Sequence, residues 1–218
     1  MFTKAIEWDY VKTNPVKRVK SLKEPPGRLR YLKPPEFEAL FNSCVDYIRP
    51  ILVTALNTGM RKSEILRLKW ADVDLKNRKI TVKEAKNNES RIVPINGTLY
   101  QEFLSLFEKA KGEYVFTDGN GHPIGDIKKG FLAAVRRAGL EDFRFHDLRH
   151  TFGSYMVMQG ADLRTVQQIM GHKDIRMTLR YAHLSSRHVQ EAVESLNNIW
   201  TLSGHQDRLG GKDNHVKY

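Results

Sequence analysis

Apolar positions along this chain change their period twice. From Pro34 the spacing is helical: Phe37, Leu40 and Phe41 follow Pro34-Pro35-Glu36. A first turn tolerates proline, and an acid suits the positive end of the helix dipole. Residues 51–56 continue as a buried helix that Thr58-Gly59 ends, and Ile65, Leu66 and Leu68 mark the next one. The period then falls to two. Segments 79–83 and 91–95 alternate and are β-branched, with Asn87-Asn88 between them, which predicts a β-hairpin. A further short strand is expected at 114–116. Beyond Gly97 the helical period returns, with Leu99, Phe103, Leu104 and Phe107 on one segment and Phe131, Leu132 and Val135 on another. Gly160 closes a helix over 146–159. Asp162 caps, and Gly171 closes, a helix over 162–170. Asp174 is placed to cap a helix carrying Tyr181. Residues 187–200 read as a last amphipathic helix, with Val189, Ala192, Val193 and Leu196 on one stripe. The pattern predicts an α+β fold, mostly α-helical, with a small antiparallel sheet.

The two ends differ from this body. Residues 1–33 hold nine Lys or Arg and three acids, broken by Asn14-Pro15 and Glu24-Pro25-Pro26-Gly27. They read as a helix end followed by an extended basic linker, suited to lie along a phosphate backbone; a floppy terminus is the plainer alternative. Residues 201–218, with Gly204, Gly210 and Gly211, are expected to form a flexible tail.

Composition narrows the classes. With 218 residues and 40% hydrophobic positions, the chain can bury a real core. No apolar run approaches the roughly 20 residues of a membrane span, and no signal peptide opens the chain. One cysteine, Cys44, allows no internal disulfide, suits a reducing compartment such as the cytoplasm, and makes a cysteine-based metal site improbable. The formal net charge of +11 attracts polyanions, above all nucleic acid. Charge alone leaves a basic protein without such a partner open.

Three polar segments carry the candidate chemistry. In Thr58-Gly59-Met60-Arg61-Lys62-Ser63-Glu64, Arg61 opens a helix, where a guanidinium adds a fork for phosphate oxygens; an Arg61–Glu64 surface pair is the ordinary reading. In His146-Asp147-Leu148-Arg149-His150-Thr151, His146 and Arg149 share a helix face. One is a proton carrier near neutrality, the other a permanent cation, a pairing that suits phosphoryl transfer. A solvated helix face explains the same letters. In the third segment Tyr181, between Arg180 and His183, lies nine residues past His172. A phenol with a pKa of about 10 needs cations or a base to act as a nucleophile at neutral pH. Most tyrosines instead pack a ring into the core.

Taken in order, these segments resemble the boxes of the tyrosine recombinases, the phage integrase family: an arginine in T-G-x-R-x-x-E, then H-x-L-R-H-T, then G-H, then a tyrosine nine residues on. The resemblance runs from residue 30 to 196. It implies the catalytic-domain fold of that family over 30–200, preceded over 1–29 by the end of a core-binding domain and its linker. The family's hairpin lysine precedes an Arg-x-Val-Pro by five residues. Arg91-Ile92-Val93-Pro94 therefore points to Lys86, with Lys83 as competitor.

What the resemblance implies is strand exchange on double-stranded DNA without cofactor, metal or ATP. Tyr181 would attack a phosphodiester, Arg61 and Arg149 clamp its non-bridging oxygens, and His172 donate to them. Lys86 would protonate the leaving 5′-oxygen and His146 handle the tyrosine's proton. Glu64 and His150 would support the site, and Arg28, Arg30, Lys62, Lys173 and Arg180 would contact DNA. A homotetramer on DNA is expected, with the 187–200 helix as an interface element, and a monomer in solution, because most of the core-binding domain is missing. Rival readings are a type I topoisomerase-like relaxing enzyme and a non-catalytic DNA-binding module of the same fold.

Overall fold

The computed structural model describes residues 2–19, 28–83, 90–185 and 193–194. Helix α1 (Phe2–Glu7) and a 3-10 turn (Pro15–Arg18) precede the body. There follow α2 (Pro34–Ser43), α3 (Arg49–Thr58), α4 (Lys62–Leu66), β1 (Val73–Asp74), β2 (Lys79–Lys83), β3 (Ser90–Pro94), α5 (Gly97–Glu108), α6 (Lys128–Arg137), α7 (Phe145–Met158), α8 (Leu163–Met170), α9 (Arg176–Leu179) and a 3-10 turn (Ala182–Ser185).

Local sequence accounts for most boundaries. Glu36, Glu64 and Asp147 each stand at the third helical position of α2, α4 and α7. Each carboxylate accepts the backbone N–H of the residue that opens its helix, Lys33, Arg61 and Arg144, at 2.8 Å. Asn96 caps α5, and Asp162 caps α8 through the N–H groups of Arg164 and Thr165. Gly59 and Gly171 end α3 and α8 in the left-handed conformation that glycine adopts without strain.

The strands form an antiparallel meander, β1-β2-β3. In its register Ile80 faces Val93 and Val82 faces Arg91. Ile80, Val82 and Val93 are buried, while Ile92 and Lys83 face outward, as period-two alternation requires. The expected strand at 114–116 is not a strand. Tyr114 makes an isolated bridge to Lys69, and Val115 and Phe116 are buried there as a loop. Val115 N–H donates to the Leu68 carbonyl and the Phe116 carbonyl accepts from Ile124, single backbone bonds without a ladder.

A large core gathers α2 to α6 and the sheet around Ile51, Leu52, Ile65 and Phe103. Helix α7 packs between α3 and α8, and β3 also touches α8. A second, smaller cluster holds Phe152, Val157, Val166, Met170 and Tyr181. The tyrosine singled out for chemistry is therefore a core residue. It lies in the turn after the four-residue α9, where Asp174 Oδ1 accepts the N–H of Arg176, rather than within a longer helix. The Asn87-Asn88 turn and Lys86 lie outside the described residues, as do the 201–218 tail and, except for 193–194, the 187–200 helix.

Gly59 binds this arrangement most tightly. Its φ is +61°, and a Cβ there would stand 2.4 Å from the Phe152 ring. Gly59→Ala is expected to lower unfolding free energy by about 2–4 kcal/mol, combining left-handed strain with overpacking. A denaturant titration would check this; an unchanged midpoint would show that the α3–α7 contact yields easily.

Candidate active site

Helix α7 carries His146, Arg149, His150 and Gly153 at positions i, i+3, i+4 and i+7, so they share one face. That face meets the C-terminal end of α8. The last carbonyls of a helix lack intrahelical partners and form its negative pole. Here three arginines from three elements take three successive carbonyls. Arg91 Nε of β3 donates to Ile169 at 3.0 Å, Arg149 Nη2 to Met170 at 2.6 Å, and Arg61 Nη2 to Gly171 at 3.1 Å. Arg149 also donates to the Gly59 carbonyl at 2.5 Å, which ties it to the end of α3.

Glu64 balances part of this charge. Its carboxylate accepts from Arg61 Nη1 at 2.8 Å and from both Arg91 amino groups at 3.1 and 2.6 Å. Burial alone would push the Glu64 carboxyl up. The Arg91 hydrogen bonds and the Arg61 N–H outweigh it, so Glu64 sits below the usual carboxylate range. Three guanidinium groups against one carboxylate leave the cluster strongly cationic. In Arg149, 4% exposed, burial and then Arg61 draw the pKa down to about 10; it remains a cation at neutral pH.

His172 follows Gly171 directly. Its Nδ1 is 2.8 Å from Thr178 Oγ1 on α9, so Nε2 is the nitrogen left for a ligand. Burial, then Arg149 and Arg61, push its pKa down to about 3. Tyr181 is fully buried, and its hydroxyl lies 2.8 Å from His150 Nδ1. Its ring rests on Gly153, where an added Cβ would stand 2.8 Å from Cζ. Burial raises the phenol to about 12, with Arg149 and Arg180 pulling the other way. Burial, then His146 and Arg180, lower His150 to about 4. His146 lies at the exposed edge of the site, its ring centroid 5.0 Å from that of His150. Burial, then Arg149, lower its pKa.

Arg61, Glu64, Arg149, His150, His172 and Tyr181 thus meet around the end of α8, with His146 at its rim. Lys86 lies outside the described residues. The cations expected to meet DNA are more dispersed. Arg28 pairs with Asp142 and Asp147. Arg30 is held bidentately by Glu36 and stacks over Phe143. Lys62 pairs with Asp126 at 3.0 Å. Lys173 borders a groove of about 480 Å³ with Arg61, Arg67 and Lys83, and Arg180 reaches His150 Nε2 at 3.4 Å. Arg91 was a landmark in the sequence, not a candidate. Its alternation with Val93 puts it on the buried face of β3, where a guanidinium must find a carboxylate; that pattern was the available signal. Among the described residues no cluster of His, Cys, Asp or Glu is arranged to hold a metal ion, and no helix is long and apolar enough to cross a membrane.

The two buried imidazoles make stability depend on pH. Their folded pKa values lie below the unfolded value of about 6.5, so the unfolded chain binds more protons and stability falls as pH drops below 6.5. Between pH 7.5 and 5 each histidine should remove on the order of 1–2 kcal/mol. Denaturation of the chain and of His150→Asn/His172→Asn at both pH values would test this. An equal pH slope in the variant would show that these rings do not carry the linkage.

Known proteins share this sequence pattern and fold. Residues 30–188 match the phage integrase family. The integrase of Salmonella phage P22 is 30% identical over 211 residues, covering 90% of this chain and 54% of that protein. The catalytic domain of bacteriophage HP1 integrase superposes with a TM-score of 0.62 at 29% identity, covering 81% of this chain and 98% of that one. The Tn1549 transposon integrase, solved in complex with a circular intermediate DNA, gives a TM-score of 0.72 at 25% identity over 88% of this chain and 75% of its own. This chain spans about half the length of the curated relatives it matches. Its sequence and fold together place it in the phage integrase family of tyrosine recombinases.

Proposed function

We propose that this chain is the catalytic part of a site-specific DNA recombinase that cuts and rejoins strands through a 3′-phosphotyrosyl intermediate. The observation that carries the reading is the convergence of a phenolic oxygen, two helix-anchored arginines and a neutral imidazole on one helix end.

Tyr181 Oη attacks a DNA phosphorus, the bond from phosphorus to the 5′-oxygen breaks, and the 5′-hydroxyl of the same or a partner duplex later reverses the step. Charge grows on the equatorial oxygens during each transfer. Arg149 is fixed by the Gly59 and Met170 carbonyls, which use two of its five N–H groups, so its fork meets a phosphate already oriented. Arg61 is oriented by Glu64 and Gly171 in the same way. His172, neutral and held by Thr178, donates through Nε2. Lys86 protonates the leaving 5′-oxygen, and His146 at the rim passes the tyrosine's proton to the medium. Tyr181, Arg149 and His172 are all buried, so a phosphodiester reaches them only after the residues above them shift. Arg28, Arg30, Lys62, Lys173 and Arg180 contact the duplex backbone. Exchange between two duplexes calls for a homotetramer on DNA, with the chain monomeric in solution and acting in the cytoplasm. The 1–29, 30–200 and 201–218 divisions complete this reading.

The test is covalent trapping on a pool of nicked suicide duplexes with a randomised core. The chain should form an adduct that maps to Tyr181, and Tyr181→Phe should form none. Arg149→Ala should slow trapping by about 10³. Lys86→Ala should slow it by about 10²–10⁴ on ordinary DNA but little on a 5′-bridging phosphorothiolate, whose thiolate leaves unaided. An adduct in Tyr181→Phe would overturn the assignment, and equal loss on both substrates would remove Lys86 from its role.

A further inference from the structure

The sequence gives His150 only a supporting place, yet its imidazole is the group in contact with the Tyr181 oxygen. Both ring nitrogens are engaged. Nδ1 faces Tyr181 Oη at 2.8 Å, and Nε2 faces Arg180 Nη1 at 3.4 Å. Arginine has only donors. An Nε2 facing Arg180 must therefore be the accepting nitrogen, and the single proton of a neutral ring then sits on Nδ1, aimed at the phenolic oxygen. In this tautomer His150 cannot take the tyrosine's proton. It can only give a hydrogen bond to the oxygen.

We propose that His150 is a catalytic residue that donates a hydrogen bond from Nδ1 to the nucleophilic oxygen of Tyr181, and that Arg180 is the positioning residue that fixes this tautomer. The proposal rests on the reading of Tyr181 as nucleophile. Its chemistry is that of an oxyanion hole turned toward the attacking group. As the phenol loses its proton to the medium by way of His146, negative charge collects on Oη and the bond from His150 strengthens. The bond from Oη to phosphorus then forms while that to the 5′-oxygen breaks, and Lys86 supplies the proton the 5′-oxygen takes. His150 begins and ends with one proton. In the return step the phenolate is the leaving group, and the same donor favours its departure.

Three further features fit. His150 is neighbour to Arg149 on α7, so an oxygen held by His150 is also held in register with the phosphate clamp. The Tyr181 ring is seated against Gly153 and Met170, which fixes the direction of Oη. Burial, and then the neighbouring His146 on α7, Arg180, Arg149 and Arg28, disfavour a second proton on His150, so one neutral tautomer persists at neutral pH.

The experiment measures trapping rates on the phosphorothiolate duplex pool, where leaving-group protonation no longer limits. His150→Asn keeps an N–H near the Nδ1 position but has no basic nitrogen; His150→Ala keeps neither. A donor role predicts that Ala loses about 10² in rate and that Asn recovers to within about tenfold of the unmodified chain. It also predicts that the alkaline rise in rate moves to higher pH in Ala and back in Asn. Arg180→Ala lies at an exposed position outside the core; measured at saturating duplex, so that its backbone contact does not limit, it should lose about tenfold through tautomer mixing. Equal losses in Ala and Asn would show a base instead, and unchanged rates would show packing alone. Faster trapping in Ala or in Arg180→Ala would show a contact that holds the tyrosine back. Each of these three overturns the proposal. Should the unmodified chain trap nothing, or Tyr181→Phe trap DNA, the nucleophile assignment falls and takes this inference with it, a result readable apart from the His150 series.

Discussion

The negative pole of one eight-residue helix organises this site. The C-terminal carbonyls of α8 would be unsatisfied where the chain turns at Gly171, and three arginines satisfy them in succession. Each comes from a different part of the fold: Arg61 from the start of α4, Arg91 from β3, Arg149 from α7. Cations that would repel one another at close range are drawn to a common anchor, and Glu64 bridges two of them. A helix end without a formal charge thus sets the spacing of the positive groups that a phosphate would meet.

Burial does the rest. Around this pole the side chains that could titrate are shifted away from their charged forms where charge would be costly: His150 and His172 downward, Tyr181 upward. The arginines stay charged. On the proposed function this becomes a division of labour in which permanent cations bind, neutral imidazoles donate, and the phenol stays protonated until something lowers the cost of its ionisation. Fixed charge and neutral donors suit a reaction whose charge appears only in passage.

Much of this was legible in the sequence and some was not, for identifiable reasons. The face shared by His146, Arg149, His150 and Gly153 follows from helical period, and the ends of α3 and α8 follow from Gly59 and Gly171. The convergence on α8 does not, because its contacts join residues 110, 78 and 21 positions apart. Period and capping speak only to neighbours. Segment 114–116 has strand-like residues but is satisfied by single bonds to Leu68 and Ile124, so propensity yielded to context there. For Tyr181 the sequence offered two readings, reactive group and core ring, and the structure places the ring in the core; the proposed reaction asks the same ring to serve both.

That double occupancy has a consequence for the bonded state. The seat formed by Gly153, Phe152, Val157, Val166 and Met170 is filled by the very ring that, on the proposed function, would carry a strand. Drawing the ring toward DNA would leave a hollow lined with apolar groups, and such a hollow is costly to keep open. The strained partner in a half-finished exchange would then be the protein itself. Its own packing would pull toward release of the strand, giving a broken duplex a built-in tendency to heal.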